Sequence, residues 1–142
     1  MALTPEQEVV LAEKHRDRID AMRTRAGDFS ENLFNQAMRT DDPEAFFVDR
    51  FASTLDTTAE AAARSTDTYF GIATSDEPLG VTANTEIVRG VQSQEAARRP
   101  IVEVWTKLSQ GKQWIDATRS GARRARTLAQ DSVNLGQRHA AN

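Results

Sequence analysis

Two kinds of side chain in this sequence could do chemistry: its histidines, and the arginines near its C-terminal end. His15 lies on the apolar face of a predicted helix, with Glu8 and Asp17 nearby in the sequence. A metal site needs two or three more ligands that converge on the ion, and the other histidine, His139, is near the opposite end of the chain. We therefore expect His15 to pack at the core boundary, beside Leu11, rather than to bind a metal.

Catalytic motifs are not apparent. The carboxylate pairs Asp41–Asp42 and Asp76–Glu77 stand at expected turns and helix caps, where acidic residues are common. The sequence has no glycine-rich phosphate loop and no serine elbow motif. With 0 Cys, it has no thiolate for catalysis or metal binding. We expect no enzyme activity, no cofactor and no small-molecule substrate.

The arginines form a sharper pattern. Arg119, Arg123 and Arg126 recur at spacings that place them on one face of a helix. Arg98 and Arg99 lie upstream in the same basic part of the chain. Such a surface could meet DNA phosphates, an acidic partner protein, or the acidic part of this same chain, and an ordinary solvated helix face is the simplest alternative.

Charge is unevenly distributed along the chain. Residues 1–97 carry 9 basic and 18 acidic side chains, whereas residues 98–142 carry 9 basic and 3 acidic ones. The net charge of −3 therefore divides into −9 and +6. This pattern predicts an acidic body with a basic C-terminal end.

Helices are expected to position these side chains. Thr4-Pro5-Glu6-Gln7 has the form of a capping box with proline at the first helical position. Gly27 predicts a stop or kink, and Asp28 with Glu31 predicts a second helix start. Asp42 before Pro43 predicts a long helix over 43–73.

The second half of the chain is also predicted to be helical, after a region with little signal for regular secondary structure. Residues 74–92 contain several turn-forming residues and leave room for one short strand or helical turn. Pro100 should interrupt or restart the next helix, which ends at Gly111. The last helix is expected over about 113–138.

A seam of small and apolar residues runs along this last helix at alternating spacings of four and three. Its members are Trp114, Thr118, Gly121, Ala125, Leu128, Ser132 and Leu135. Packing inside the same chain is the favoured interpretation, and an oligomer or partner interface is the alternative. Trp105 and Tyr69 could line a groove, although the simpler interpretation is that each anchors the core.

The sequence therefore predicts an all-α fold, either a helical bundle or an extended helical array. A length of 142 residues suits a single domain over 1–142. It would comprise acidic N-terminal helices over 1–73, a poorly regular linker over 74–92 and basic C-terminal helices over 93–142. The longest apolar runs are only four residues, so no membrane contact is expected.

Residues 98–111, RRPIVEVWTKLSQG, resemble the R-R-P-F-x-x-V-W-x-x-L-x-x-G stretch of MuF-like minor head proteins. These proteins belong to tailed phages of actinobacteria and are often fused to a capsid maturation protease. Residues 128–135, LAQDSVNL, resemble that family's L-A-x-T-D-x-x-L motif, and the alanine-rich stretch before Tyr69 is similar to its alanine-rich helix. Ile101 stands where the family has an aromatic residue. The sequence ends near the point where many relatives continue into a protease domain, so no activity of that domain is carried over.

The resemblance implies a virion protein of the phage head interior, present in the host cytoplasm during assembly. We predict a non-enzymatic minor head component that docks to a portal or capsid protein through its C-terminal helices. A second copy of the chain and packaged DNA are further candidate partners, and a small DNA-binding virion protein using the basic helix is the alternative function. The residues predicted to bind the partner are two tryptophans, one leucine and five arginines: Trp105, Trp114, Leu128, Arg98, Arg99, Arg119, Arg123 and Arg126.

Overall fold

Four α-helices make up nearly all of the described chain. The structure is a computed structural model that describes residues 3–74 and 91–141. The helices are α1 (Pro5–Ala37), α2 (Pro43–Thr74), α3 (Val91–Ser109) and α4 (Trp114–Ala141), and no strand occurs in these two ranges. The all-α prediction is confirmed. The linker predicted over 74–92, with its short strand or helical turn, falls almost wholly outside the described residues.

Local signals in the sequence fix several helix ends. The Gln7 backbone N–H donates to Thr4 Oγ1 at 3.2 Å, and the Thr4 N–H donates to Gln7 Oε1 at 2.9 Å, which completes the predicted capping box. Asp42 Oδ1 accepts from the Ala45 N–H at 3.1 Å and so caps α2. After α3 the chain turns at Gly111, whose φ of 83° is a left-handed conformation that glycine adopts without strain.

The predicted helix end at Gly27 is wrong, because α1 continues unbroken to Ala37. Gly27 is buried where α1 faces α4, and a Cβ there would lie 2.9 Å from Arg126 Nη1. Asp28 and Glu31 accept hydrogen bonds from Arg126 instead of starting a helix. The glycine therefore makes room for a neighbouring helix, and the two acids bind that helix.

Pairwise contacts set the directions of the helices. Asp28 pairs with Arg126, whereas Arg23, one turn earlier in α1, donates from Nε to Asn134 Oδ1 at 2.7 Å. In these two contacts the residue number falls along α1 as it rises along α4, so the two helices are antiparallel. The contact between α1 and α4 thus includes ion pairs and hydrogen bonds as well as apolar packing.

α2 and α4 are parallel. The buried Ser132 Oγ donates to the Leu55 backbone oxygen at 2.5 Å, and one turn further along both helices Gly136 lies against Ala59. α3 packs on both α2 and α4. α2 and α4 each contact all three other helices, and the contact between these two is the most extensive of those described.

The core is built from a few aromatic rings and many small side chains. Phe34 and Phe47 meet edge to face at 5.5 Å, and Phe47 stacks on Phe51 at 4.7 Å. The seam of α4 is largely enclosed, with Gly121, Ala125 and Ser132 buried inside the chain. This part of the seam packs inside the chain, as the favoured interpretation predicts, whereas Trp114 at its start is 50% exposed. None of the described helices combines the length and apolar character needed to span a membrane.

Candidate partner-binding surface

The α3–α4 hairpin carries an exposed apolar patch. Trp105 on α3 and Trp114 at the start of α4 are each 50% exposed, and their ring centroids lie 6.5 Å apart. Val102, one turn before Trp105, is 56% exposed, and Ile115 is 57% exposed. We call these four residues the indole patch.

The indole patch faces away from the core because of its position on α3. Ile101 and Val104 are buried and Leu108 packs against the core, which defines the inner stripe of that helix. Val102 and Trp105 lie beside this stripe and are exposed. Trp105 therefore does not anchor the core. Large apolar side chains grouped on a surface are typical of a docking site.

The turn between α3 and α4 holds the two indole rings together. The Lys112 N–H donates to the Lys107 carbonyl oxygen and the Gly111 N–H to the Leu108 carbonyl oxygen, both at 3.0 Å. These bonds close the end of α3 before the chain enters α4. The patch is thus mounted on two packed helices and a hydrogen-bonded turn rather than on a loose loop.

Five arginines of this hairpin are exposed. They are Arg98 and Arg99 on α3 and Arg119, Arg123 and Arg124 on α4. None of the five makes an ion pair with any residue that the structure describes. Their charges are available to an anionic partner.

Arg126 behaves differently from the other arginines of its stripe. Its Nε donates to Glu31 Oε2 at 2.6 Å and its Nη2 donates to Asp28 Oδ1. The hydrogen bond to Asp28, followed by the one to Glu31, raises the pKa of the Arg126 guanidinium above its ordinary value. Leu128, another predicted contact residue, packs against the core. Both side chains are engaged inside the chain, so we leave them out of the candidate surface.

A polar cleft lies between α3 and α4. Its lining comprises Glu103 of α3 and Ser120, Arg123, Arg124 and Thr127 of α4. The cleft has a volume of about 260 Å³. We call it the arginine cleft.

His15 lies at the contact between α1 and α2. Its ring stacks on Tyr69 with centroids 4.3 Å apart and an interplanar angle of 6°. Burial, and secondarily the nearby Arg18, lower the pKa of His15 below 6.5. Among the described residues, no three His, Asp or Glu side chains are grouped to hold a metal ion.

Sequence reasoning missed Val102, Ile115 and the cleft residues Ser120 and Thr127. A partial signal for Val102 was present, since the residue directly after Ile101 lies about 100° further around the helix. No comparable signal marks Ser120 or Thr127, because the cleft exists only once α3 lies against α4.

Comparison with known proteins adds no relative. No family model matches the chain, and neither a curated protein nor a solved structure matches it significantly. The likeness to MuF-like proteins stays a resemblance of short motifs.

Proposed function

We propose that this protein is a non-enzymatic structural component of a phage virion, a minor head protein that docks through its indole patch. The observation that carries the proposal is the pair of half-exposed indole rings, 6.5 Å apart on one hairpin. Its partner is a portal or capsid protein of the head interior, which it meets in the host cytoplasm during assembly.

The indole patch has the chemistry of an interface centre. Tryptophan dominates binding energies because it offers a large apolar area with one polar handle. The two rings are held by helices, so little conformational freedom is lost on binding. This combination favours a permanent structural contact.

The arginines around the indole patch supply orientation. Arg98, Arg99 and Arg119 are exposed and lack ion pairs within the described residues. Charges at the rim of an interface steer the encounter and penalise wrong partners more than they add affinity. We expect a partner with an apolar pocket and carboxylates at its edge.

The head location follows from the motif resemblance. Residues 98–111 resemble a MuF-like segment, and that same stretch contains Arg98, Arg99 and Trp105 of the exposed surface. The short motif and the docking surface therefore overlap on α3, whereas Trp114, Ile115 and Arg119 lie beyond the motif. This overlap supports a head protein over an unrelated helical bundle.

Tryptophan fluorescence tests the proposal directly. The chain has 2 Trp, and both belong to the indole patch, so the emission of the intact protein reports only on this surface. We expect a blue shift on mixing with purified portal or with capsid particles. The double variant Trp105→Ala/Trp114→Ala should bind about 30-fold more weakly or worse in co-sedimentation, as expected for loss of a hot spot worth at least about 2 kcal/mol.

A matched control removes apolar surface elsewhere. Phe29 on α1 and Ile72 on α2 are 56% and 50% exposed. The double variant Phe29→Ala/Ile72→Ala should keep full co-sedimentation and the blue shift. Unchanged emission of the intact protein, together with equal incorporation of the two double variants, would refute docking through the indole patch.

DNA binding is the second candidate function, favoured by the exposed arginines of the hairpin, which make no ion pair within the described part of the chain. Nucleic-acid binding weakens steeply as salt is added, because counterions are released on contact. Docking through an apolar centre depends far less on salt. Co-sedimentation across a salt series therefore separates the two functions.

A further inference from the structure

The arginine cleft is a separate feature from the indole patch. Arg123 and Arg124 are adjacent in sequence, both are exposed, and neither makes an ion pair with a described residue. Ser120 and Thr127 of the same helix line the cleft with them. Two cations and two hydroxyl groups thus converge on one concave surface.

The donors in the cleft suit a tetrahedral oxyanion. A guanidinium group presents several N–H donors in a fork that matches phosphate geometry, and each hydroxyl adds an O–H donor. The cleft has a volume of about 260 Å³ and is open to solvent, so a tetrahedral oxyanion can enter it. The lining contains no apolar side chain, so the apolar anchor of a protein interface is missing.

We infer that the arginine cleft binds a phosphate group, with the guanidinium groups of Arg123 and Arg124 and the hydroxyls of Ser120 and Thr127 donating to its oxygens. Contacts with a phosphate require only charge and hydrogen-bond donors. The phosphate can belong to a nucleic-acid backbone or to the free ion. This inference goes beyond docking through the indole patch and does not depend on it.

Glu103 allows a test in which a substitution should strengthen phosphate binding instead of weakening it. Its carboxylate lines the α3 side of the cleft and opposes an anion. Arg99 and Lys107 lie four residues before and after it, on the same side of α3, and offset that charge. Neutralising Glu103 should therefore strengthen phosphate binding, whereas a merely structural role would not give a gain.

The nucleic-acid source is tested with a fluorescently labelled DNA duplex by anisotropy. We expect the magnitude of the slope of log K against log salt to fall by about 0.9 in Arg123→Gln/Arg124→Gln, since the cleft holds one phosphate and each lost phosphate contact removes about 0.9. The control Arg16→Gln/Arg39→Gln makes the same charge change at exposed arginines that also lack ion pairs within the described residues. This control variant should show the same slope of log K against log salt as the unmutated protein. Glu103→Gln should bind the duplex more tightly.

The free ion is tested with inorganic phosphate by NMR. The Nε–Hε resonances of Arg123 and Arg124 should shift on titration, and sodium chloride at equal ionic strength should leave them in place. Shifts without duplex binding identify the free ion as the source, and the loss of slope in the double variant identifies the nucleic-acid backbone.

Three results would overturn the inference. They are absence of both the phosphate shifts and the slope change, an equal slope change in the Arg16→Gln/Arg39→Gln control without phosphate shifts, and binding of polyglutamate as tightly as the duplex. The last would assign the cleft to an acidic protein. Circular dichroism of every variant confirms that the helices are intact.

Discussion

Stacking on an aromatic ring explains His15 better than ligand chemistry does. The ring lies parallel to Tyr69 at 4.3 Å, and α1 has no buried residue before Ile19. The histidine therefore fastens the otherwise exposed start of α1 to the later part of α2. A ring in this position makes its contact as a flat, uncharged surface.

The lowered pKa of His15 predicts a loss of stability in mild acid. Burial and Arg18 disfavour the protonated form in the folded state, whereas the unfolded chain takes up a proton near pH 6.5. Stability from this site is complete above pH 6.5 and is lost as the pH falls from there through the lower pKa of the folded state. Urea unfolding at a series of pH values should show the free energy of unfolding falling over this window.

The variant His15→Gln isolates this effect from the carboxylates. Glutamine cannot titrate, so the variant should lack the part of the pH dependence that lies just below pH 6.5. Carboxylate protonation at lower pH should remain in both proteins. Identical curves for the two proteins across the window would contradict a neutral His15 in the folded state.

At the scale of helices, glycine marks the points of closest approach. A Cβ on Gly136 would lie 2.8 Å from the Ala59 carbonyl carbon and 3.0 Å from its Cα, both backbone atoms of α2. A Cβ on Gly27 would instead meet the side chains of Arg126 and Gln130. Backbone cannot yield without moving a helix, whereas a side chain can adopt another rotamer.

This difference predicts unequal effects of the same substitution. Gly136→Ala should lower the free energy of unfolding by about 2–3 kcal/mol, because α2 and α4 must separate. Gly27→Ala should stay within about 1 kcal/mol of the natural protein, since the helix propensity of alanine offsets the shift of Arg126. Urea unfolding monitored by circular dichroism measures both, and equal losses would show that the two contacts do not differ in this way.

Local signals predicted the starts of α1 and α2, whereas the role of Gly27 and Asp28 depends on a long-range contact. Thr4 and Asp42 act within three residues of their own positions, so their capping bonds could be predicted from the sequence. Gly27 followed by Asp28 has the same local form as a helix end, but its role depends on Arg126, which is 98 residues away from Asp28 in the chain. A local pattern carries no information on that partner.

The same limit of local sequence patterns applies to the candidate partner-binding surface. The spacing of Arg119, Arg123 and Arg126 correctly gives one helix face, but only the packing shows that Arg126 is turned to α1. The tryptophans were identified by residue type, whereas their exposure depends on which side of α3 meets the core. The types of residue at the candidate surface could therefore be predicted from the sequence, whereas their exposure to solvent could be read only from the tertiary structure.

For the whole molecule, Arg126 links the acidic and basic parts of the chain. It lies in the segment 98–142 with net charge +6, and its partners Asp28 and Glu31 lie in the segment 1–97 with net charge −9. The Arg126 side chain is 33% exposed and that of Glu31 35% exposed, so solvent weakens the attraction. The bond orients the halves more than it stabilises them.

A double-mutant cycle between Arg126→Met and Glu31→Gln measures this link. Methionine keeps the aliphatic packing of Arg126 over Gly27 but removes the charge, and we expect a coupling of about 0.5–1 kcal/mol in the free energy of unfolding. The coupling should shrink in about 1 M salt, where charges are screened within about 3 Å. Arg119→Met is the matched control on the same face of α4, since Arg119 is exposed and makes no ion pair with a described residue. A coupling of Glu31 to Arg119 as large as that to Arg126 would mean that the two halves attract through their general charge and not through this bond.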